Sequence, residues 1–212
     1  MNFKVDRQPA RLIYFLDPMC SWCWAFRPAL KVVESQLPPE ISLVRVLGGL
    51  ALDTDEPMPE AMRDKLQEIW RKIQLTVPGT EFNFRYWDLC TPRRSTYRAC
   101  RAVIAAAQQG EYGPAMIEAI QRAYYLEARN PSDRSTLIQL AQDMHLDAER
   151  FAHDLDSPDI QAELDRQIAL TKAYGVKGFP TLLLETAQGR QFIDINPNDP
   201  AGILADIRSA LS

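Results

Sequence analysis

The apolar positions near the beginning of the chain follow a strand, helix, strand order. Residues 11–16 form a short β-prone apolar run, and from Cys20 onward the apolar side chains recur at helical spacing until Pro38 and Pro39. Residues 41–47 are rich in β-branched side chains, alternate in part, and break at a Gly-Gly pair. This part of the chain therefore predicts a β-α-β unit, for which a right-handed crossover is expected.

The middle of the chain has a helical pattern throughout. Apolar residues recur at every third or fourth position, and caps support several boundaries, with Thr91 before Pro92 as a predicted helix start and Gly110 as a stop. No stretch rich in glycine, serine or proline separates this part from its neighbours. We therefore predict an all-helical insertion, with helices over residues 59–75, 91–109, 114–128, 133–144 and 147–155.

The last third of the chain returns to an α/β pattern. It predicts a helix, two strands joined by a tight turn, and a closing helix, over residues 159–174, 181–185, 191–195 and 199–211. The complete order is β-α-β, helical insertion, α-β-β-α, which places the chain in the α/β class. We assign residues 1–55 and 156–212 to the core and residues 56–155 to the insertion.

Composition narrows the classes of partner. A chain of 212 residues with a net charge of −4 and no cluster of lysine and arginine is not expected to bind nucleic acid. Charges among residues 1–9 and an apolar run of only five residues after them do not match a secretory signal or a membrane span. We therefore expect a cytoplasmic protein with no membrane association, in which cysteines are thiols rather than structural disulfides.

The motif Cys20-Ser21-Trp22-Cys23 stands between the first predicted strand and the first predicted helix, where a thioredoxin-like protein keeps its reactive pair. Unpaired backbone N–H groups and the helix dipole stabilise a thiolate at a helix N-terminus. Cys20 is then the attacking sulfur, and Cys23 is the resolving thiol that releases the partner from the mixed disulfide.

Other interpretations of two cysteines at this spacing are half of a zinc site or two unrelated core thiols. Cys90 and Cys100 are too far apart in sequence to form a zinc knuckle, and the two histidines leave few further ligands, so we expect no metal. We expect Cys90 to lie at an element boundary and Cys100 to be a buried helical residue, although a second redox pair stays open.

Pro180 precedes a predicted buried strand, a position that needs a special reason because proline cannot donate to a sheet ladder. In thioredoxin-like folds that reason is a cis peptide bond. A cis Phe179–Pro180 bond beside Cys20 would leave the Phe179 N–H and C=O free to pair with an extended substrate segment.

Taken together, these motifs resemble the FrnE-like branch of the DsbA family. The resemblance spans nearly the whole chain, and it is carried in order by residues 14–26, 48–50, 130–133 and 175–181. It implies a thioredoxin-like fold with a helical insertion, thiol–disulfide exchange through Cys20 and Cys23, and Pro180 as a cis residue.

The sequence departs from the DsbA pattern at several positions near the cysteines. DsbA has a histidine between its cysteines where this chain has Ser21 and Trp22, so we expect a less depressed pKa for Cys20 and a weaker oxidant. Related enzymes often carry a buried acid six residues before the first cysteine, and this chain has Tyr14, which leaves the proton shuttle for Cys23 unassigned. Asp17 is either a turn residue of the Asp-Pro pair, the interpretation that we favour, or an auxiliary group acting on the thiols.

Several aromatic residues lie near the motif in sequence. We expect Trp22 to be exposed and to contact substrate together with Phe179 and Pro180, whereas Trp24 and Phe26 are expected to be largely buried. The sequence leaves undecided whether Phe82, Tyr86 and Trp87 face the same groove.

The main hypothesis is a cytoplasmic thiol–disulfide oxidoreductase that acts on thiol- or disulfide-containing proteins and peptides. Its electrons reside in the dithiol, so no organic cofactor or metal is needed, and glutathione is a candidate redox partner. A rival is a glutathione-dependent enzyme of the kappa-class transferase or 2-hydroxychromene-2-carboxylate isomerase type. Those enzymes typically have serine where Cys20 stands, and their chemistry has no evident use for Cys23. A third hypothesis is a binding module or holdase; the oligomeric state is not predicted.

Overall fold

The structure is a computed structural model, and it describes residues 10–211. Its strands are β1 (Ala10–Leu16), β2 (Ile41–Leu47), β3 (Thr181–Thr186) and β4 (Gly189–Ile193). Its helices are α1 (Ser21–Ser35), α2 (Glu60–Thr76), α3 (Tyr86–Leu89), α4 (Tyr97–Ala107), α5 (Gly113–Tyr125), α6 (Arg134–Asp143), α7 (Ala148–Asp154), α8 (Pro158–Ala173) and α9 (Pro200–Ser209). This order confirms the predicted α/β class; residues 1–9 and 212 of the assigned core lie outside the described residues.

The four strands form one sheet in the order β2-β1-β3-β4. β1 pairs in parallel with β2 across the α1 crossover, and β3 runs antiparallel to both β1 and β4. β1 is flanked by strands on both sides, and its residues 12–16 are buried, which accounts for the continuous apolar run. Leu16 pairs with Leu47, and Phe15 pairs with Thr181. The segments after β1, after β2 and before β3 therefore meet at the same end of the strands.

The insertion and α1 share one aromatic core. Trp24 of α1 stacks on Tyr125 of α5 with ring centroids 5.6 Å apart, and Tyr125 meets Trp70 of α2 edge to face at 5.5 Å. Trp70 is 1% exposed and also stacks on Phe82 at 4.8 Å. Burial of these large aromatic side chains contributes much of the free energy that stabilises the packing of the insertion on α1.

Several predicted boundaries differ from the structure by two residues or more. The helix predicted to end at residue 128 ends at Tyr125, the strand predicted over residues 191–195 spans Gly189–Ile193, and the start of α4 differs most. Helix α4 begins at Tyr97 rather than after Thr91, because the preceding segment is held by hydrogen bonds to distant parts of the chain. The Met58 N–H donates to the Pro92 carbonyl at 2.7 Å, and the Thr96 N–H donates to the Ala51 carbonyl at 3.0 Å. These long-range bonds keep the segment out of the helix. The four-residue helix α3 was not predicted, because it is too short to show helical spacing.

Across residues 10–211, none of the helices has the length and apolar character that crossing a bilayer requires.

We predict that alanine substitutions at Gly49 and Gly175 destabilise the fold unequally. Both glycines have positive φ, +61° and +71°, so alanine carries a backbone penalty of about 1–2 kcal/mol at each. A Cβ at Gly49 would also lie 2.7 Å from the Tyr97 ring and 2.9 Å from Ile168 Cδ1, whereas a Cβ at Gly175 meets nothing within 4 Å. Chemical denaturation should therefore give a free energy of unfolding about 1–3 kcal/mol lower for Gly49→Ala than for Gly175→Ala. Equal losses of unfolding free energy would contradict the close packing of Gly49 against Tyr97 and Ile168.

Candidate active site

A tight turn connects β1 to α1 and sets the position of the first cysteine. The Cys20 N–H donates to the Asp17 carbonyl at 3.0 Å, and the Met19 N–H donates to Asp17 Oδ1 at 2.8 Å. The Tyr125 hydroxyl of α5 donates to the Met19 carbonyl at 2.7 Å and ties the turn to the insertion. Cys20 is the N-cap residue of α1, and Cys23 follows within the first turn of the helix.

The two cysteines are free thiols with opposite electrostatic environments. The pKa of Cys20 is lowered, chiefly by a hydrogen bond from the Cys23 thiol, and the N–H groups of Cys23 and Trp22 add to this effect against burial and the charge of Asp17. The pKa of Cys23 is raised well above the ordinary thiol range by burial, and next by its hydrogen bond to Cys20. Cys20 is 8% exposed and Cys23 is 0% exposed. Cys20 is therefore the sulfur that ionises first and the one that a substrate can reach.

The loop before β3 lies directly against Cys20. The Phe179–Pro180 bond is cis, as predicted, and the Cys20 Sγ lies 3.4 Å from the Phe179 carbonyl oxygen. Phe179 and Pro180 are both half-buried. The Phe179 ring packs so closely on Gly48 that a Cβ at Gly48 would lie 1.8 Å from the ring. The absence of a side chain at Gly48 thus allows Phe179 to place its carbonyl beside the sulfur.

Asp17 is the turn residue that the sequence favoured, and its carboxylate has a further structural role. The side chain is completely buried and is surrounded by donors. Besides the Met19 N–H, Oδ2 accepts from the Leu50 N–H at 2.8 Å and the Thr96 hydroxyl at 2.7 Å. Burial raises the pKa of Asp17, and these hydrogen bonds oppose that rise. The carboxylate thereby ties the turn to the loop after β2 and to α4.

The two remaining cysteines, Cys90 and Cys100, have different surroundings. Cys100 is buried on α4 with its Sγ 3.7 Å from Asp17 Oδ2, and Cys90 is half-buried at the end of α3 with its Sγ 3.1 Å from the Ala128 carbonyl. Burial raises the pKa of both thiols. These placements confirm the predicted boundary and helical positions. Within residues 10–211, no three His, Cys, Asp or Glu side chains form a group that could hold a metal ion.

The aromatic predictions are confirmed in part. Trp24 and Phe26 are buried as expected, but Trp22 is half-buried rather than exposed, because it packs on a small cluster that includes Ala25 and Val77. Ser21, the first residue of α1, is also half-buried. Among the residues left undecided, Phe82 is half-buried on Trp70, whereas the other two are buried in the aromatic core, Tyr86 at 1% and Trp87 at 3% exposure.

Tyr14 is a site residue whose role the sequence did not reveal. It lies on β1, is 2% exposed and lines the same cavity as Cys23. Burial raises the pKa of Cys23, and an interaction with Tyr14 opposes that rise. The position of Tyr14 six residues before Cys20 is evident from the sequence, but its place beside Cys23 depends on the packing of α1 on the sheet.

A family model for the DSBA-like thioredoxin domain matches residues 11–206. The chain belongs to this family. The FrnE-like branch within it stays a prediction.

Similar solved structures cover nearly the whole chain. A protein from Nitrosomonas europaea, provisionally described as a protein disulfide isomerase, superposes with a TM-score of 0.82 at 25% identity, covering 96% of this chain and 99% of that one. The cytosolic disulfide reductase DsbM from Pseudomonas aeruginosa has a TM-score of 0.75 at 26% identity, covering 95% of this chain and 96% of its own. A structure of DsbM described as being with GSH has a TM-score of 0.71.

Curated relatives carry a different functional name. The ClpXP adapter protein SpxH from Halalkalibacterium halodurans is 29% identical over 182 residues, which cover 84% of this chain and 59% of that protein. SpxH from Bacillus subtilis is 26% identical, covering 86% of this chain and 60% of the relative. The chain thus spans about three fifths of the length of these curated relatives.

We predict that Gly48→Ala slows attack on a peptide disulfide more than Gly178→Ala does. The Cβ at Gly48 would displace the Phe179 ring and move its carbonyl away from Cys20, whereas a Cβ at Gly178 meets nothing within 4 Å. A displacement of about 1 Å at a reacting centre can lower a rate by up to about a hundredfold. The second-order rate constant with an unlabelled disulfide peptide, measured for both variants under conditions where each is folded, tests the contact. Equal rates for the two variants would argue against a role for Phe179.

Proposed function

We propose that this chain is a thiol–disulfide oxidoreductase with Cys20 as nucleophile and Cys23 as resolving thiol. The observation that carries the proposal is the unequal ionisation of two adjacent sulfurs beside the cis Phe179–Pro180 loop. The Cys20 thiolate attacks a substrate disulfide, forms a mixed disulfide, and expels one substrate sulfur as a thiolate. Cys23 then loses its proton and attacks the Cys20 sulfur. The second substrate sulfur leaves with the electron pair, so the substrate gains two electrons and Cys20 and Cys23 become a disulfide.

The substrate class follows from the backbone beside the sulfur. An extended peptide can add to exposed main-chain groups by β-augmentation, which is tolerant of side-chain sequence. The Phe179 carbonyl lies 3.4 Å from Cys20 Sγ, and this proximity supports a contact with the residue next to a substrate cysteine. We assign substrate contacts to Trp22, Phe179 and Pro180, and the substrates to proteins or peptides that carry thiols or disulfides.

Reduction or isomerisation of disulfides is the direction that similarity supports best. DsbM, a named cytosolic disulfide reductase, resembles this chain over 95% of its length. Two molecules of glutathione can restore the dithiol by successive exchange, giving glutathione disulfide and transferring two electrons. The reaction requires no metal or organic cofactor, since both electrons reside in the cysteine pair. We place this activity in the cytoplasm.

Cysteine variants should separate the two roles in an insulin-reduction assay with glutathione. Cys20→Ser should lose activity down to the uncatalysed rate, because the nucleophile is gone. Cys23→Ser should accumulate a mixed disulfide at Cys20, because the intramolecular resolving thiol is gone and only the slower attack by external glutathione releases it. Cys90→Ser serves as the matched control, since this half-buried thiol lies outside the reactive pair, and it should keep wild-type activity. Activity retained in Cys20→Ser would remove the assignment.

The glutathione-dependent transferase or isomerase remains the rival function. Its chemistry activates glutathione itself, so it would not depend on Cys23. Turnover of a glutathione conjugate by Cys23→Ser, in the absence of disulfide exchange by the wild type, would favour this rival.

A partner-binding function is a second candidate because the curated relatives are named ClpXP adapter proteins. An adapter or holdase acts by binding, so it predicts partner capture that survives replacement of both Cys20 and Cys23. Loss of capture in the double variant would instead tie binding to disulfide exchange.

A further inference from the structure

Tyr14 and Cys23 line one cavity of the protein. The Tyr14 side chain points from β1 toward α1, where its ring packs edge to face on Phe26 with centroids 5.9 Å apart. Tyr14 thus lies beside Cys23, and its interaction with the sulfur opposes the rise that burial gives to the pKa of Cys23. The Asp17 carboxylate accepts hydrogen bonds from the Met19 N–H, the Leu50 N–H and the Thr96 hydroxyl.

A cavity of about 220 Å³ begins at this contact and runs between α1, β2 and α5. Its floor is buried and includes Tyr14, Cys23 and Gln121, whereas Glu34 and Ala115 at the rim are exposed. The cavity therefore connects the buried sulfur with the protein surface, and neither Phe179 nor Pro180 lines it. Its volume is sufficient for several water molecules.

Gln121 supplies a second, independent indication that the cavity holds water. Its side chain lines the cavity and is 2% exposed, and its Oε1 has no hydrogen-bond partner among the described residues. A buried amide oxygen without a donor costs about 1–3 kcal/mol, so its position next to a polar cavity favours hydration. Glu34 and Arg45, paired at 2.6 Å, provide charged groups at the rim.

We propose that the Tyr14 hydroxyl relays the proton between Cys23 and water in this cavity whenever Cys23 changes between thiol and thiolate. The inference rests on the proposed function, because only disulfide exchange requires Cys23 to ionise. When Cys23 attacks the mixed disulfide, its proton passes to the Tyr14 oxygen as the Tyr14 proton passes to cavity water. The S–S bond to Cys20 forms, and the substrate sulfur leaves with the electron pair. Burial raises the pKa of Tyr14, so its hydroxyl is protonated and able to donate at neutral pH.

Charged and titratable groups face this relay from every neighbouring element. They are Cys20 and Asp17 at the turn, Tyr125 and Glu118 on α5, Arg45 on β2, and Arg27, Lys31 and Glu34 on α1. The charged groups at the cavity form the pairs Arg27–Glu118, Lys31–Glu118 and Arg45–Glu34. Tyr14→Phe leaves all of these charges in place, so a change in pH dependence can be attributed to the hydroxyl.

Tyr14→Phe keeps the ring and removes only the hydroxyl, and Ellman's reagent resolves the two exchange steps. Attack by Cys20 releases one coloured thiolate, and attack by Cys23 on the resulting mixed disulfide releases a second. Both proteins carry Cys90→Ser, and stopped-flow absorbance compares Tyr14→Phe with its parent. The first release of coloured thiolate should be unchanged in Tyr14→Phe. The second release should be slower by about tenfold or more at neutral pH, since general acid–base assistance typically contributes at least that much.

The pH profile distinguishes a proton relay from a loss of packing. The Tyr14 hydrogen bond lowers the pKa of Cys23, so its removal should shift the profile of the second release to higher pH, and the deficit should shrink as the pH rises. Gln121→Leu, which removes the unpaired acceptor but not Tyr14, should slow the second release by a smaller factor. Tyr124→Phe, a buried tyrosine in the aromatic core, is the matched control and should leave both releases unchanged.

Three results would overturn the inference: a second release unaffected by Tyr14→Phe, an equal slowing of both releases, or a deficit that is the same at every pH. Absence of a Cys20-dependent first release in the parent protein would instead refute the proposed function, so the two failures are distinguishable.

Discussion

The site depends on the unequal pKa values of two neighbouring sulfurs. Burial raises the pKa of Cys23, whereas a hydrogen bond from Cys23 and the first N–H groups of α1 lower the pKa of Cys20. The same asymmetry supports the two proposed roles, since the sulfur with the lower pKa is also the more accessible one. The surrounding fold can be understood as the set of contacts that keeps this arrangement in place.

β1 organises those contacts, because its end meets three different parts of the chain. The turn at Asp17 starts α1, the loop after β2 provides the Gly48 backbone, and the segment before β3 brings the Phe179 carbonyl to Cys20. The insertion secures the arrangement from the other side through Thr96 and Tyr125, which bind Asp17 and the Met19 carbonyl. The proposed substrate contact at Phe179 and the proposed proton path at Tyr14 thus involve different residues around the cysteine pair.

The sequence predicts the parts of this structure that local physics determines. Hydrophobic spacing is sufficient for the strand and helix order, and a cysteine pair between a strand and a helix indicates its own chemistry. It does not predict contacts that depend on distant segments. The sequence pattern places Thr96 inside a helix, because it cannot show the hydrogen bonds with Ala51 and Met58 that keep residues 91–96 irregular. Trp22 is half-buried for a similar reason, since Val77, which covers it, follows more than fifty residues later.

The pH dependence of alkylation at each cysteine tests the central asymmetry most directly. Reduced protein is treated briefly with iodoacetamide across a pH series, and peptide mass spectrometry quantifies the label at Cys20 and Cys23 separately. The structure predicts that Cys20 becomes reactive below the pH at which an ordinary thiol ionises, while Cys23 stays unlabelled over the same range. Equal labelling of both cysteines, or labelling of Cys23 at the lower pH, would contradict it.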